Sequence, residues 1–214
     1  MEIVWGYDMS RRKYIIAIVG RTGSGKDTVA GYFKKFYNVH PVVSYTTRPI
    51  RDNETDGVEH IFVTKDEMEV LRQREDVIAY TQFPETGYEY LALLDEIKFT
   101  GVEKGASACT YIVDPFGLEY LNKMVRGTDI EVIELRVEAS YSKRLKRLGA
   151  RGDKPADIER RLASEDAIFD KYESDRRLNE KLCKLDVIIN DYNRISLQLQ
   201  VDTFCVHKGL LVAN

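Results

Sequence analysis

The chain has 214 residues, 43% of them apolar and 31% charged, with a formal net charge of −3. A chain of that length buries roughly 70% of the surface it exposes when unfolded, so its core needs no disulfide or metal to close it. The mild negative charge argues against a general nucleic-acid binder, and the longest apolar run, Ile15 to Val19, is far too short to span a membrane. The three cysteines, Cys109, Cys183 and Cys205, are widely spaced and form no CxxC pair, against a zinc site and in keeping with a reducing compartment. Met1 to Ser10 lacks the apolar stretch of a signal peptide, so the expectation is a soluble cytoplasmic protein.

Residues 1–12 show no periodicity and read as a surface extension. Tyr14 to Val19 is a continuous apolar run closed by glycine, the pattern of a strand buried on both faces in a parallel sheet. The glycine-rich stretch Gly20 to Gly25 follows, and Val29, Phe33 and Phe36 then recur at helical spacing. Strand, glycine loop and helix open an α/β unit. Val42 to Thr46 predicts a second strand, residues 48–60 a polar loop, and Ile61 to Val63 another strand. Thr64 to Glu67 has the capping-box pattern of a helix running to about Arg74. Val77 to Phe83 and Tyr88 to Leu91 are β-rich and separated by a turn containing Pro84 and Gly87.

The α/β rhythm then resumes, with a helix over Leu93 to Glu103 and a strand over Ala108 to Val113 that ends at Asp114. A helix over Phe116 to Val125, a strand over Ile130 to Val137 and a helix from Ser140 to Leu148 follow, the last broken at Gly149 to Pro155. Ala156 to Leu185 reads as one long charged helix or two, Asp186 to Ile189 as a last strand, and residues 194–207 as a C-terminal helix. The predicted class is α/β: a parallel sheet flanked by helices in a core of residues 1–41 and 93–214, a mostly β insertion over 42–92, and a lid at about 149–157.

The strongest signal is Gly20-Arg21-Thr22-Gly23-Ser24-Gly25-Lys26-Asp27-Thr28, which satisfies GxxxxGK between a strand and a helix. Its glycines let backbone N–H groups turn inward around an anion, and the helix N-terminus adds its dipole. Lys26 can reach the terminal phosphates of a nucleotide. The hydroxyl that normally follows the lysine comes one place late: Asp27 stands there and Thr28 follows. Both are candidate contacts to Mg²⁺, through water; a carboxylate in the first helical turn also favours the helix start.

Two further constellations carry positive charge. In Ser44-Tyr45-Thr46-Thr47-Arg48-Pro49-Ile50-Arg51, two arginines follow the three aliphatic hydroxyls of Ser44, Thr46 and Thr47, a set suited to a second phosphate. On spacing alone, a solvated basic loop fits as well. Residues 143–161 hold eight basic and three acidic side chains, a local net of +5. Gly149, Gly152 and Pro155 interrupt that run at a loop, which a closing lid needs. A solvated helix face is the bland alternative, and the phosphate loop elsewhere in the chain favours the lid.

The run from Ser44 to Arg51, with Glu54, Gly57 and His60 to Thr64 after it, lies downstream of the phosphate loop and resembles the guanylate kinases. The likeness continues through Phe83 to Tyr90, Asp114 with Gly117, the Arg147, Arg151 and Arg161 segment, and Val187 to Asp191, spanning about residues 14–200. The phosphate loop and SxTTRxxR are its two specific motifs. The resemblance implies a P-loop kinase in which ATP, with Mg²⁺, gives its γ-phosphate to a nucleoside monophosphate bound by the insertion. GMP or dGMP is the leading acceptor. Gly20, Thr22, Gly23, Ser24, Gly25, Lys26, Asp27 and Thr28 would hold the ATP phosphates, and Asn190 would lie near its adenine. Ser44, Arg48, Arg51 and Tyr88 would hold the acceptor phosphate. Arg147, Arg151 and Arg161 would close over the transferring group with Lys26 and Arg48. Asp114 matches one of two acids at the end of the central strand, on the substrate side.

The sequence departs from the family pattern around the base. His60 stands where the family has a phosphate-binding tyrosine, Ala79 where it has the glutamate that reads guanine, and Tyr90 where a small hydroxyl residue faces the base. Glu85 and Glu89 are close enough in sequence to replace the lost acid. Two rival readings therefore stay open. One is a kinase of this fold acting on another (deoxy)nucleotide or a phosphorylated sugar. The other is a non-catalytic module that binds phosphorylated proteins, against which the intact Gly23-Ser24-Gly25-Lys26 counts. The partner expected is a nucleotide, with no nucleic acid or membrane, and the chain acting as monomer or homodimer.

Overall fold

The computed structural model describes residues 13–52, 54–83, 86–101, 107–150, 155–179 and 186–210. The apolar run forms strand β1 (Lys13–Val19), in which Ile15 to Val19 are fully buried. It can be apolar on both faces because both are covered. Helix α1 (Lys26–Tyr37) and the C-terminal helix α6 (Arg194–His207) bury Val29, Phe33, Val201 and Phe204 against Ile16 and Ile18. Helices α3 (Pro115–Met124) and α5 (Pro155–Asn179) bury Leu118, Leu121 and Phe169 against Ile15, Ala17 and Val19.

Beside β1 run β8 (Ser107–Val113) and β9 (Ile130–Glu138), both parallel to it. Strands β10 (Val187–Ile189) and β2 (His40–Pro41) complete a five-stranded parallel sheet of order β10-β9-β1-β8-β2. A short β7 (Thr100–Gly101) adds to β8 in the antiparallel sense. Helix α4 (Tyr141–Ala150) follows β9. Parallel neighbours with helical crossovers on both faces are the layered arrangement that buried strands require.

A separate mixed sheet has the order β4 (His60–Phe62), β3 (Ser44–Thr46), β6 (Glu89–Leu93) and β5 (Val77–Gln82). Strands β3 and β4 are parallel and the other pairs antiparallel. Helix α2 (Lys65–Arg72) covers its outer face with Met68, and the capping box at Thr64 and Glu67 forms as its spacing predicts.

Two stretches differ from their sequence pattern. The apolar segment Val42 to Thr46 is not one strand: the chain leaves the first sheet after Pro41, anchors its Val42 N–H on the Thr110 carbonyl at 2.7 Å, and enters the second sheet at Ser44. The helix expected over Leu93 to Glu103 does not form. Strand β6 continues to Leu93, a single 3₁₀ turn spans Leu94–Glu96, and β7 follows. Leu91, Ala92 and Leu93 are buried by pairing with β5, and that pairing outweighs a helical spacing of apolar residues. Residues 102–103 of that segment and 104–106 after it, the expected extension 1–12, the center of the predicted break at 151–154 and the end of the long charged helix at 180–185 lie outside the described residues. Among the described residues no helix is long and apolar enough to cross a membrane.

Phe33 is 1% exposed and meets Phe204 edge-on at 6.2 Å between ring centroids, joining α1 to α6. Phe33→Ala should lower the unfolding free energy by about 3–5 kcal/mol in urea titration. A loss under about 1 kcal/mol would show that this face of the sheet relaxes around the cavity.

Candidate active site

At the carboxyl end of β1 the chain turns through Gly23 (φ 78°) and Gly25 (φ 96°) into α1. A Cβ built on Gly25 would stand 2.1 Å from Asn190 Nδ2, so both the φ and the space demand glycine there. The back of the loop is tied down through its carbonyls. Arg147 Nη1 donates to the Gly23 and Ser24 carbonyls at 3.0 Å each, and Nη2 to the Asn190 carbonyl at 2.6 Å. Asn190 Nδ2 donates to the Ser24 carbonyl at 2.7 Å, and Arg144 Nε to the Thr22 carbonyl at 3.0 Å. Lys26 Nζ curls over the loop onto the Gly20 carbonyl at 2.7 Å. The Ser24 hydroxyl is buried with no hydrogen-bond partner among the described residues.

Helix α5 presses acids on the front of the loop. Glu165 accepts the Thr22 N–H at 2.7 Å and the Thr22 hydroxyl, while Arg21 pairs with Asp170 at 2.9 Å and with Asp166 and Glu173 at 3.4 Å.

The second sheet supplies the opposite wall. Arg48 makes a fork-to-fork pair with Glu54 at 2.7 and 2.5 Å, both side chains over nine-tenths buried. Burial alone would push the Glu54 carboxyl up; the Arg48 hydrogen bond, the Arg51 N–H and the two arginine charges outweigh it and hold the carboxyl below its ordinary value. Arg51 Nη1 lies 3.6 Å from Glu54 and is more exposed. Arg48 stacks on Phe62 at 5.2 Å, and the Tyr90 hydroxyl is close enough to act on its charge. Ser44 Oγ and His60 Nδ1 are 2.9 Å apart. Burial, then the Arg48 charge, lowers the His60 pKa, so the ring is neutral at pH 7. Tyr90 meets the rings of His60 and Phe83 edge-on, each at 5.6 Å.

Between the walls lies a cavity of about 460 Å³. Gly20, Thr22, Gly23, Gly25, Lys26 and Asp27 reach it from the phosphate loop. Ser44, Arg48, Arg51, His60 and Tyr90 reach it from the second sheet, and Asp114 from the end of β8. Tyr88 lines a smaller neighboring hollow with Arg48, Arg51 and Tyr90. Thr28 is exposed on α1 and does not line either space; Ser24, Arg147 and Asn190 sit under the loop rather than in the cavity. Arg151 lies outside the described residues, and of Arg161 only its place on α5 is described.

The family model described as guanylate kinase matches residues 10–195. The chain belongs to the guanylate kinase family. A guanylate kinase of Latilactobacillus sakei subsp. sakei (strain 23K) is 32% identical over 141 residues, covering 56% of this chain and 70% of that protein. One of Syntrophus aciditrophicus (strain SB) is 30% identical over 152 residues, 71% of this chain and 70% of the relative. The crystal structure of guanylate kinase from Anaplasma phagocytophilum superposes with a TM-score of 0.58 over 95% of this chain and 89% of that one; at 19% identity the likeness is one of fold.

Within this guanylate kinase fold, strand register answers which acid can stand in for Ala79. Thr81 pairs with Tyr90 and Gln82 with Glu89, so successive residues of β6 face opposite sides. Tyr90 faces the cavity. Glu89 faces α2, where it accepts the Tyr80 hydroxyl at 2.6 Å and lies 3.7 Å from Arg72. Glu89 is thus no substitute reader, and Glu85 lies outside the described residues. Among the polar cavity residues to which sequence reasoning gave no role are Glu54, Glu165 and Thr81. Glu54 had a signal, an acid placed to return onto Arg48 across a tight loop; Glu165, in a helix charged all round, and Thr81, a lone hydroxyl in a strand, had none.

Glu89→Ala should destabilize the fold by about 1–3 kcal/mol in urea titration by leaving the Tyr80 hydroxyl unpaired. An unchanged urea midpoint would show that Tyr80 finds another partner there. The lowered His60 pKa means the folded state binds fewer protons than the unfolded chain in the window just below the ordinary value of 6.5. Stability is therefore full above 6.5 and falls as the pH drops through that window. In His60→Gln the acid limb of the stability profile between pH 7 and pH 5, read by urea midpoints, should be shallower.

Proposed function

We propose that this guanylate kinase family member is an ATP-dependent nucleoside monophosphate kinase that phosphorylates GMP or dGMP. The single observation that carries the reading is that one cavity is lined on one side by the glycine loop with Lys26 and on the other by the basic wall of Arg48 and Arg51, a layout that suits two phosphates. A binding module for phosphorylated proteins needs only one such site.

In the proposed reaction the loop amides and Lys26 hold the ATP phosphates, and Arg48 and Arg51 hold the acceptor phosphate so that its oxygen faces the γ-phosphorus. Glu54 keeps Arg48 in place before substrate arrives. No general base is needed, because a phosphate monoester is already ionized at neutral pH. Ser44, Tyr88 and neutral His60 complete the acceptor's polar surroundings. Arg151 and Arg161 are assigned to the transferring group. Arg147 and Asn190 act from beneath, fixing the loop's shape. Among the described residues no three acidic, histidine or cysteine side chains cluster as a metal site, which fits a Mg²⁺ held mainly by phosphate oxygens and water. Asp27, which lines the cavity beside Lys26, fits a contact to that ion through water; Thr28, outside the lining, does not. Bound there, Mg²⁺ would neutralize charge on the phosphates. The product is a nucleoside diphosphate and the setting the cytoplasm.

For the acceptor, Asp114 gives the cavity a carboxylate that can take N–H groups of guanine, which favors GMP. The buried methyl of Ala79 favors the same-fold rival with another acceptor. ADP release with GMP, dGMP, AMP, CMP, UMP, dTMP and ribose 5-phosphate separates them. GMP and dGMP should exceed AMP by at least about tenfold in kcat/KM. Lys26→Ala should lower kcat by about 10² with an unchanged melting temperature. Equal rates for GMP and AMP would transfer the weight to another acceptor, and no ADP release with any of them would sink the kinase reading.

A further inference from the structure

Thr81 is 8% exposed, lines the cavity, and its hydroxyl makes no hydrogen bond with any described residue. The oxygen itself is not fully enclosed, so it opens on the cavity, where a hydroxyl with no partner among the described residues is available to a ligand. Its neighbor across the packed backbone of Gly117 is Asp114. A Cβ added to Gly117 would stand 3.2 Å from Thr81 Oγ1 and 3.7 Å from Asp114 Oδ2, so the hydroxyl and the carboxylate flank the same glycine. Asp114 Oδ1 is occupied, accepting the Phe116 and Gly117 N–H groups at 2.8 and 2.9 Å as the cap of α3. Oδ2 is the oxygen on the Thr81 side.

Ala79 and Thr81 are two apart on β5 and so share its cavity face. Ala79, 2% exposed, offers only a methyl group; the next polar atom on that face is the Thr81 hydroxyl, about 6–7 Å along the strand.

We propose that Thr81 is a specificity-determining residue that reads the acceptor's base. Its hydroxyl donates to a carbonyl or ring acceptor of the base, and Asp114 Oδ2 accepts from the adjacent N–H. Guanine presents such an edge, O6 beside N1–H, with the 2-amino group as a second donor for the carboxylate. Adenine has no such second donor. This inference rests on the kinase reading above.

The test is Thr81→Val, which keeps the shape and removes only the hydroxyl. Because that hydroxyl has no partner among the described residues, the melting temperature should stay the same or rise, which a structural role would not allow. The kcat/KM for GMP should fall about five- to tenfold, through KM, and the calorimetric Kd for GMP should rise by the same factor. Thr81→Ser should recover most of the loss. The Kd for ATP, and the inhibition constant of ribose 5-phosphate, which has the phosphate and no base, should not move. GMP affinity unchanged in an active variant overturns the base-reading role and leaves the kinase reading standing; so does an equal loss for GMP and ribose 5-phosphate. If the unmutated protein neither binds nor phosphorylates any nucleoside monophosphate, both readings fall together.

Discussion

The site depends on the carbonyl side of the phosphate loop. A loop whose N–H groups converge on an anion must turn its carbonyls outward, and those carbonyls need donors if the shape is to hold without ligand. Arg147, Asn190 and Arg144 supply them, from the segments that follow β9 and β10. The 2.1 Å approach of Asn190 to the missing Cβ of Gly25 shows how closely the partners fit. The parallel sheet matters to function because it brings the ends of β1, β9 and β10 side by side, so that three distant stretches of chain can grip one turn.

The opposing wall follows another logic. Arg48 is almost wholly removed from water, and a buried guanidinium needs an anion. Glu54 provides it, and the pair is fixed in a plane by Phe62 beneath. The positive charge that would greet a phosphate therefore comes largely from Arg51, the more exposed of the two, while Arg48 contributes directed N–H groups of known position.

Much of this was legible in the sequence because it is local. The buried run before Gly20, the glycine spacing and the capping box at Thr64 each act within a few residues, and each forms as written. What was not legible depends on pairing between distant segments. A count of positive charge over residues 143–161 cannot tell a guanidinium aimed at phosphate from one aimed at carbonyls, and Arg147 is of the second kind. Proximity of Glu89 to Ala79 in sequence suggested a replacement, but a strand alternates sides, and parity placed Glu89 against α2. The helix expected at Leu93 failed because β5 was there to pair with the segment instead.

That parity has an evolutionary consequence. The cavity-facing set on β6 is fixed by the length of the turn that joins it to β5, with the Phe83 N–H bonded to the Tyr88 carbonyl and the Gly87 N–H to the Phe83 carbonyl. One residue gained or lost in that turn, with the ladder beyond it kept, would bring the face of Glu89 inward and send the face of Tyr90 out. The wall would trade an aromatic hydroxyl for a carboxylate without any change in the strand's own residues. In such a scaffold a lineage can exchange the chemistry of its pocket by insertion or deletion in a turn, a shorter route than a series of point substitutions.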